Sequence, residues 1–300
     1  MLRRIETLVA ALSAALVAQI CVTPARAQAT AEWRAWNEPI KPFRVIDNIY
    51  YVGATEVSSF LITSELGDIL LDGGFAETAP QILANIKTLG FDPRDVKIII
   101  NSHAHFDHAA GLAALKRATG AKLLLSKPDS ALAARGGLGD FQWGDTATFE
   151  PVTADRTVRD GETIKLGATS IVAHITPGHT RGCTTWTMTV DDGGAKRDVM
   201  FVCSFSAPGY QLVRNEKYPE IREDYASSFA TARALPCDVL LGPHGSIFHM
   251  KEKIVKLGTS PNPFVDPAEC KAYIDAAEKA FDAKVLEQRH APLLLKHPPT

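Results

Sequence analysis

The sequence predicts an α/β protein in which two β-sheets pack face to face and helices cover the outer faces. Two observations carry this. Runs of strand followed by one or two helices are stated twice along the chain. The densest group of polar residues, Ile98-Ile99-Ile100-Asn101-Ser102-His103-Ala104-His105-Phe106-Asp107-His108, stands where a β-branched run gives way to a helix, and His179 and His244 each stand just after a later apolar strand. Helices alternating with strands make the layers, and the chemistry gathers at strand ends.

Taken in order, residues 31–42 read as an irregular arm carrying Trp33 and Trp36, which either pack on the core or overhang a pocket. Phe43 to Ile46, Ile49 to Val52, Phe60 to Thr63 and Ile69 to Leu71 read as strands joined by short turns. Asp72-Gly73-Gly74 breaks that pattern, and a helix opened by Thr78 and Pro80 closes at Gly90. The apolar run to Ile100 is a buried strand, and Ala109 to Thr119 a helix stopped by Gly120. A strand from Lys122 to Leu125 and a short helix to Arg135 follow. Residues 136–150 have no clean period and carry Phe141, Gln142 and Trp143; a segment of this kind either covers a substrate or docks on the core. Strands resume at Thr163 to Leu166, Thr169 to Ile175, Thr184 to Val190 and Val199 to Cys203, with a hairpin turn at Asp191-Asp192-Gly193-Gly194. A helix from about Asp224 to Ala234, a short strand Val239 to Leu241 and a long helix from Asp266 to about Gln288, with Pro267 in its first turn, complete the fold. The tail, about residues 289–300, is expected to fray.

Three hundred residues with 46% hydrophobic side chains bury a real core. The net charge of −2 and the lack of basic runs give no footprint for nucleic acid or an anionic membrane. Residues 1–27 read as a signal peptide: Arg3 and Arg4, a short apolar stretch from Leu8 to Val22, and Ala25-Arg26-Ala27 for cleavage. The alternatives are a lipoprotein through Cys21, disfavoured by bulky Ile20, and an uncleaved anchor. Cleavage implies export to the periplasm, no membrane attachment afterwards, and a single domain over residues 28–300 with its arm at about 28–42. Cys183, Cys203, Cys237 and Cys270 then remain. Of three possible pairings, element placement favours Cys183–Cys203 and Cys237–Cys270; four buried thiols is the alternative. No heptad or large apolar stripe marks an oligomer, so a monomer is expected.

Four metal-capable side chains fall within six positions at His103, His105, Asp107 and His108. A helix cap needs one polar side chain, not three imidazoles and a carboxylate. His103 and His105 alternate and point to one side, while Asp107 and His108 face a second point where the helix begins. Thr176-Pro177-Gly178-His179 and Gly242-Pro243-His244 supply further imidazoles on tight turns. The resulting assignment is His103, His105 and His179 on one metal and Asp107, His108 and His244 on another. The donor set suits zinc, and by donor type also iron or manganese. His174, inside a strand, reads as a packed or hydrogen-bonded residue; His249, His290 and His297 read as surface or tail residues.

The H-x-H-x-D-H turn at His103 to His108, Pro177-Gly178-His179-Thr180 and Gly242-Pro243-His244 resemble those of metallo-β-lactamase-fold hydrolases. Residues Ser204 to Leu212, Leu235 to Leu241, Trp36-Asn37 and Asn48 to Gly53 further resemble the third subclass of the class B β-lactamases. The likeness runs from about Trp33 to Phe281. It implies a four-layer αβ/βα sandwich, two Zn2+ and hydrolysis of the β-lactam amide of penicillins, cephalosporins and carbapenems, a reaction that confers antibiotic resistance. A hydroxide shared by the metals is the implied nucleophile, oriented by Asp107, which shuttles its proton; no acyl-enzyme forms. Ser204 stands where many lactonases and thioesterases of the fold carry a metal-bridging aspartate and other zinc β-lactamases a cysteine; Cys203 is one position off. Ser204 and Ser206 are candidates to hold the substrate carboxylate, or merely satisfy backbone groups. Lysine does this in other zinc β-lactamases, and none is near in sequence. Phe141, Gln142 and Trp143 are candidate substrate contacts. Asp72 either orients a ligand imidazole or caps its turn. Competing readings are a same-fold lactonase or thioester hydrolase, and a purely structural zinc site; a flavodiiron-type oxidoreductase would need a glutamate where His105 stands.

Overall fold

The computed structural model describes residues 30–259 and 261–291. The signal-peptide reading, Cys21 and His297 lie outside those residues. Twelve strands form two mixed sheets among the described residues.

In the first sheet, β1 (Phe43–Ile46), β2 (Ile49–Tyr51), β3 (Phe60–Ile62) and β4 (Asp68–Leu71) run as an antiparallel meander. β5 (Val96–Ile100), β6 (Lys122–Ser126) and β7 (Arg156–Val158) then continue parallel to β4. Parallel neighbours need crossovers. These are α2 (Thr78–Thr88), the pair α3 (Phe106–Ala109) and α4 (Leu112–Thr119), and α5 (Lys127–Ala134) with the 135–155 segment. The second sheet holds β8 (Thr163–Leu166), β9 (Thr169–Ile175), β10 (Thr184–Asp192), β11 (Ala195–Phe201) and β12 (Val239–Leu241) in the order β12-β11-β10-β9-β8. Only the β11–β12 pair in it is parallel, its crossover carrying α6 (Ile221–Ala234). α7 (Met250–Ile254) and α8 (Pro267–His290) end the described chain, with α1 (Ala31–Trp36) at its start.

Strand alternation divides the first sheet's side chains between two cores. Leu61, Leu70, Ile99 and Leu123 turn outward and pack with Ile82 and Ile86 of α2 and Leu112 and Leu115 of α4. Phe60, Ile62, Ile69, Leu71, Ile100 and Leu124 turn inward against Trp186, Val199 and Phe201 of the second sheet, in a core that continues to Phe229 of α6 and Phe281 of α8. The protein is thus the predicted sandwich of two sheets with flanking helices. Trp186 is fully buried and its Nε1 donates to the Asn101 carbonyl at 3.1 Å, so the second sheet props the end of β5 from beneath.

Three local expectations are corrected. The arm contains a helical turn, because Thr30 caps Trp33 N through its hydroxyl at 3.1 Å. The helix expected from Ala109 begins earlier and breaks at Gly111. The last helix runs past Gln288 to His290, and residues 292–300 of the tail expected to fray lie outside the described residues. Both disulfides have the favoured pairing, with Cα atoms 5.8 Å apart for Cys183–Cys203 and 6.2 Å for Cys237–Cys270. The second staples α8 to the segment before β12.

Gly111 is required by space. A Cβ there would stand 2.1 Å from the Gly73 carbonyl oxygen, and Gly111 N donates to Gly74 O at 3.1 Å. Gly111→Ala is therefore expected to cost at least about 3 kcal/mol by denaturant unfolding. Gly120→Ala, at φ +73° in open space, is expected to cost about 1 kcal/mol. Equal losses in the two variants would remove the close-approach account.

Candidate metal centre

The ends of β4, β5, β9, β11 and β12 meet at one edge of the sandwich, and the predicted residues stand just beyond them. Asp72 follows β4, His103 to His108 follow β5, His179 follows β9, Ser204 follows β11 and His244 follows β12. Pro177-Gly178 aims His179: Gly178 has φ +134°, and a Cβ there would meet the Tyr225 ring at 2.8 Å. The His244 turn is pinned to the first sheet, with Ser58 N donating to Pro243 O at 2.8 Å and Gly245 N to Glu56 O at 2.7 Å.

Five histidine rings converge here, and each has one nitrogen facing outward to an acceptor. The Ser102 hydroxyl donates to Asp72 Oδ2 at 2.8 Å and accepts from His103 Nδ1 at 3.1 Å, leaving His103 Nε2 buried without a protein partner. His105 turns Nε2 toward Asp140 Oδ2, 3.7 Å away, and its Nδ1 inward, 3.2 Å from His179 Nε2. His179 Nδ1 donates to the Ser206 carbonyl at 2.8 Å. His108 Nδ1 lies 4.0 Å from Asp72 Oδ2, and His244 Nδ1 lies 3.9 Å from Glu56 Oε1. Their Nε2 atoms stand 3.2 Å apart, with Asp107 Oδ2 at 3.2 Å from the first and 3.4 Å from the second. The acceptors bonded to His103 and His179, and the carboxylates facing the other three rings, favour the N–H on the outward nitrogen and the lone pair on the inward one.

The inward atoms form two adjoining groups that could hold cations. One nitrogen each from His103, His105 and His179 lie within 4.8 Å of one another. His108, His244 and Asp107 make the second group. Imidazole lone pairs and one carboxylate, buried and lacking enough protein donors, fit divalent metal ions. The sulfurs of Cys183 and Cys203 also lie near His103, but they are bonded to each other and offer no thiolate.

The electrostatics keep these side chains ready to ligate. Burial, and then the neighbouring imidazoles, hold His103 well below the ordinary histidine range. Burial and His105 bring His179 down to about 3. Burial alone would raise the Asp107 carboxyl, but His108 and His244 outweigh it and hold the group well below the usual range. His108 is opposed by burial yet raised by Asp107 and Asp72.

Ser204, Ser206 and Trp143 line a cavity of about 1000 Å³ over the two groups, together with Trp33, Trp36 and Phe106. Trp33 packs on Phe106 with ring centroids 4.4 Å apart, and Trp143 on Phe106 at 5.9 Å. Trp36 packs edge-on to His244 with centroids 5.3 Å apart, so both tryptophans of the arm pack and overhang at once. Gln142 stands at the rim, its amide 3.4 Å from the Pro208 carbonyl. Phe141 is placed otherwise than expected of a substrate contact: it turns away from this cavity into an edge-on stack with Tyr210 and Tyr218, at 5.2 and 4.9 Å. Asp140 causes the divergence, because its Oδ1 accepts from both Gln142 N and Trp143 N at 2.8 Å and folds the loop tip. Asp72 does not cap its own turn: its Oδ1 accepts from Ser102 N and Asn101 Nδ2 at 2.6 Å, while Oδ2 accepts from the Ser102 hydroxyl beside His103 and lies 4.0 Å from His108 Nδ1. His174 Nε2 pairs with the Thr187 hydroxyl at 2.8 Å, and His249 and His290 are exposed. Ser102, Asp140, Glu56 and Tyr210, which donates to the His179 carbonyl at 2.8 Å, were not foreseen; no local spacing ties them to the ligands.

A histidine whose folded value is depressed takes up its proton more readily once unfolded, so its contribution favours unfolding as pH falls from about 6.5 toward about 3. The metal-free protein is expected to lose less stability between pH 7.5 and pH 5 when His179 is replaced by glutamine than with the histidine present. Thermal unfolding of both at the two pH values checks this; equal losses would refute it.

Residues 52–244 match the family model described as the metallo-beta-lactamase superfamily. Among solved structures, the chain is similar to the FEZ-1 metallo-beta-lactamase of Legionella gormanii. That match has a TM-score of 0.83 and 42% identity, covering 85% of this chain and 99% of the other. It is also similar to BJP-1, a subclass B3 metallo-beta-lactamase of Bradyrhizobium japonicum, with a TM-score of 0.81 and 38% identity over 85% of this chain and 97% of that one. The chain spans about a third of the length of the curated relatives it matches. One of them is the N-acyl homoserine lactonase AttM of Agrobacterium fabrum, 34% identical over 85 residues, which are 21% of this chain and 32% of the lactonase. With its family model, its fold and its histidine-lined centre in agreement, this chain belongs to the metallo-beta-lactamase superfamily and is a hydrolase of that family.

Proposed function

We propose that this protein hydrolyses the amide bond of β-lactam antibiotics with two zinc ions. His103, His105 and His179 hold the first, and Asp107, His108 and His244 the second. The observation that carries this reading is the paired arrangement of inward-facing ligand atoms beneath one cavity. When bound, two such ions would supply a hydroxide at neutral pH and an electrophile for the lactam oxygen.

The chain's own residues do the rest. Asp107 stays ionised beside His108 and His244 and takes the proton of the attacking water, which it passes to the departing nitrogen. The Ser204 and Ser206 hydroxyls, 3.1 Å apart on the cavity wall, bind the substrate carboxylate. Trp33, Trp36, Phe106 and Trp143 exclude water and contact the apolar parts of the substrate. No serine attacks, so no acyl-enzyme accumulates. The two disulfides agree with an exported, periplasmic enzyme that has lost residues 1–27, and a single-domain monomer is the form proposed. Among the described residues no helix is long and apolar enough to cross a membrane.

The similarity to AttM favours lactone hydrolysis as a second reading. Against it, position 204 offers a hydroxyl in place of a bridging carboxylate.

The first test is carbapenem ring opening by the purified mature protein, followed by loss of ultraviolet absorbance, with chelator and zinc add-back. Turnover abolished by the chelator and restored by zinc, at two zinc ions per chain, is expected. Asp107→Ala is expected to lower kcat by at least about 100-fold. No turnover by protein holding two zinc ions would transfer the reading to a lactone. Hydrolysis by Asp107→Ala at the native rate would remove Asp107 from the mechanism.

A further inference from the structure

Lys284, far from the metal-binding motifs in sequence, lines the same cavity as His105, Asp107, His179, Ser204 and Ser206. It extends from the last turns of α8, and its Nζ donates to the carbonyl of Ala207, 77 positions earlier and next to Ser206. An ammonium has three N–H donors, and one backbone carbonyl uses only one of them. Among the described residues no carboxylate lies within 4.0 Å of Lys284, whereas Lys97, Lys116, Lys196, Lys253 and Lys271 each have one. It is half-buried, and the other formal charges on the described cavity wall, apart from the histidines, are the carboxylates of Glu32, Glu56 and Asp107. Lys284 is the one ammonium on the described cavity wall, and it shares that wall with the Ser204 and Ser206 hydroxyls, so it is placed to receive an anion there.

We propose that Lys284 is a substrate-binding residue that anchors the carboxylate of an anionic substrate alongside Ser204 and Ser206. The proposal rests on the reading that this cavity takes β-lactams, whose ring carboxylate is the anion concerned. The amine is aimed in advance. One turn further along α8, Gln288 Oε1 accepts from Leu212 N at 2.6 Å and its Nε2 donates to Tyr210 O at 2.6 Å. Two side chains four residues apart thus hold the serine-bearing loop against the helix, so little ordering remains when substrate arrives. The anion takes the two free N–H groups without displacing the Ala207 carbonyl. No lysine near Ser204 in sequence is needed, because α8 supplies one through the fold.

Lys284 is also a tie between helix and loop, and the test separates that role from anion binding. The ring-opened product of benzylpenicillin, a dicarboxylate that is not turned over, and its dimethyl ester are titrated by calorimetry into zinc-loaded wild type, Lys284→Met and Lys284→Arg. The Kd of the acid is expected to rise about tenfold in Lys284→Met, several times more than that of the ester, and to return near wild type in Lys284→Arg. Equal weakening of acid and ester would show a loop tie only and overturn the proposal. So would undiminished binding of the acid by Lys284→Met, or failure of wild type to bind it. The readout needs no catalysis, so loss of the anchor is distinct from a wild-type enzyme that leaves the lactam intact, which would defeat the β-lactamase reading instead.

Discussion

Five imidazoles share one corner, each with an outward nitrogen bonded to or facing a protein acceptor and an inward nitrogen lacking a sufficient donor. That arrangement is the constraint to which the rest of the structure answers. Water is largely excluded, so protonating the rings is opposed by burial and by mutual repulsion. Leaving buried lone pairs without donors also costs free energy. As a purely protein structure the corner is unfavourable; with cations accepting the lone pairs it is coherent. The outer partners decide which nitrogen is which. His105 presents Nδ1 inward because Asp140 faces its Nε2, while His103 and His179 present Nε2 because Ser102 and the Ser206 carbonyl take their Nδ1 atoms.

The layers supply the rigidity this requires. A helix-covered outer core fixes one face of the first sheet, and the second sheet fixes the other. Trp186 and Thr184 reach across to the carbonyls of Asn101 and Ser102, so the turn bearing His103 is gripped from both sheets. Asp72 tolerates its φ of +67° because a short polar side chain accepts the left-handed region better than a branched one. In return its carboxylate receives three donors from Asn101 and Ser102. Gly111 allows the next helix to start within contact of that same turn. Backbone conformation, close packing and ligand orientation are therefore one problem solved at one place.

Most of the fold and the residues of the candidate centre were legible because their signals are local. β-Branched runs mark the strands, and glycine and proline mark the turns that end them. Three histidines and an aspartate within six residues need no tertiary information to be noticed. What was not legible depends on contacts between distant segments. The break at Gly111 arises from the approach of Gly73, 38 positions earlier by numbering, which no helical pattern reveals. Asp140 sits in a glycine-rich loop with no period, and only the folded chain shows that it turns Trp143 toward the centre and Phe141 away. Short elements such as β7 and α7 gave too little pattern to register. Lys284 was invisible for the same reason, as one lysine among several on a long amphipathic helix.

The two groups of ligands draw on both sheets. His103, His105, Asp107 and His108 follow a strand of the first, whereas His179 and His244 follow strands of the second. On the proposed assignment, neither half of the molecule owns a complete set for either cation. A bound ion would thus be a clasp across the seam between the halves, and its affinity would become part of the cohesion of the fold. Stability gained in this way grows with the logarithm of the free ion concentration. How firmly the two halves stay docked is then set partly by the surroundings: a metal-starved medium loosens the seam that a metal-replete one closes, with no change in the chain itself.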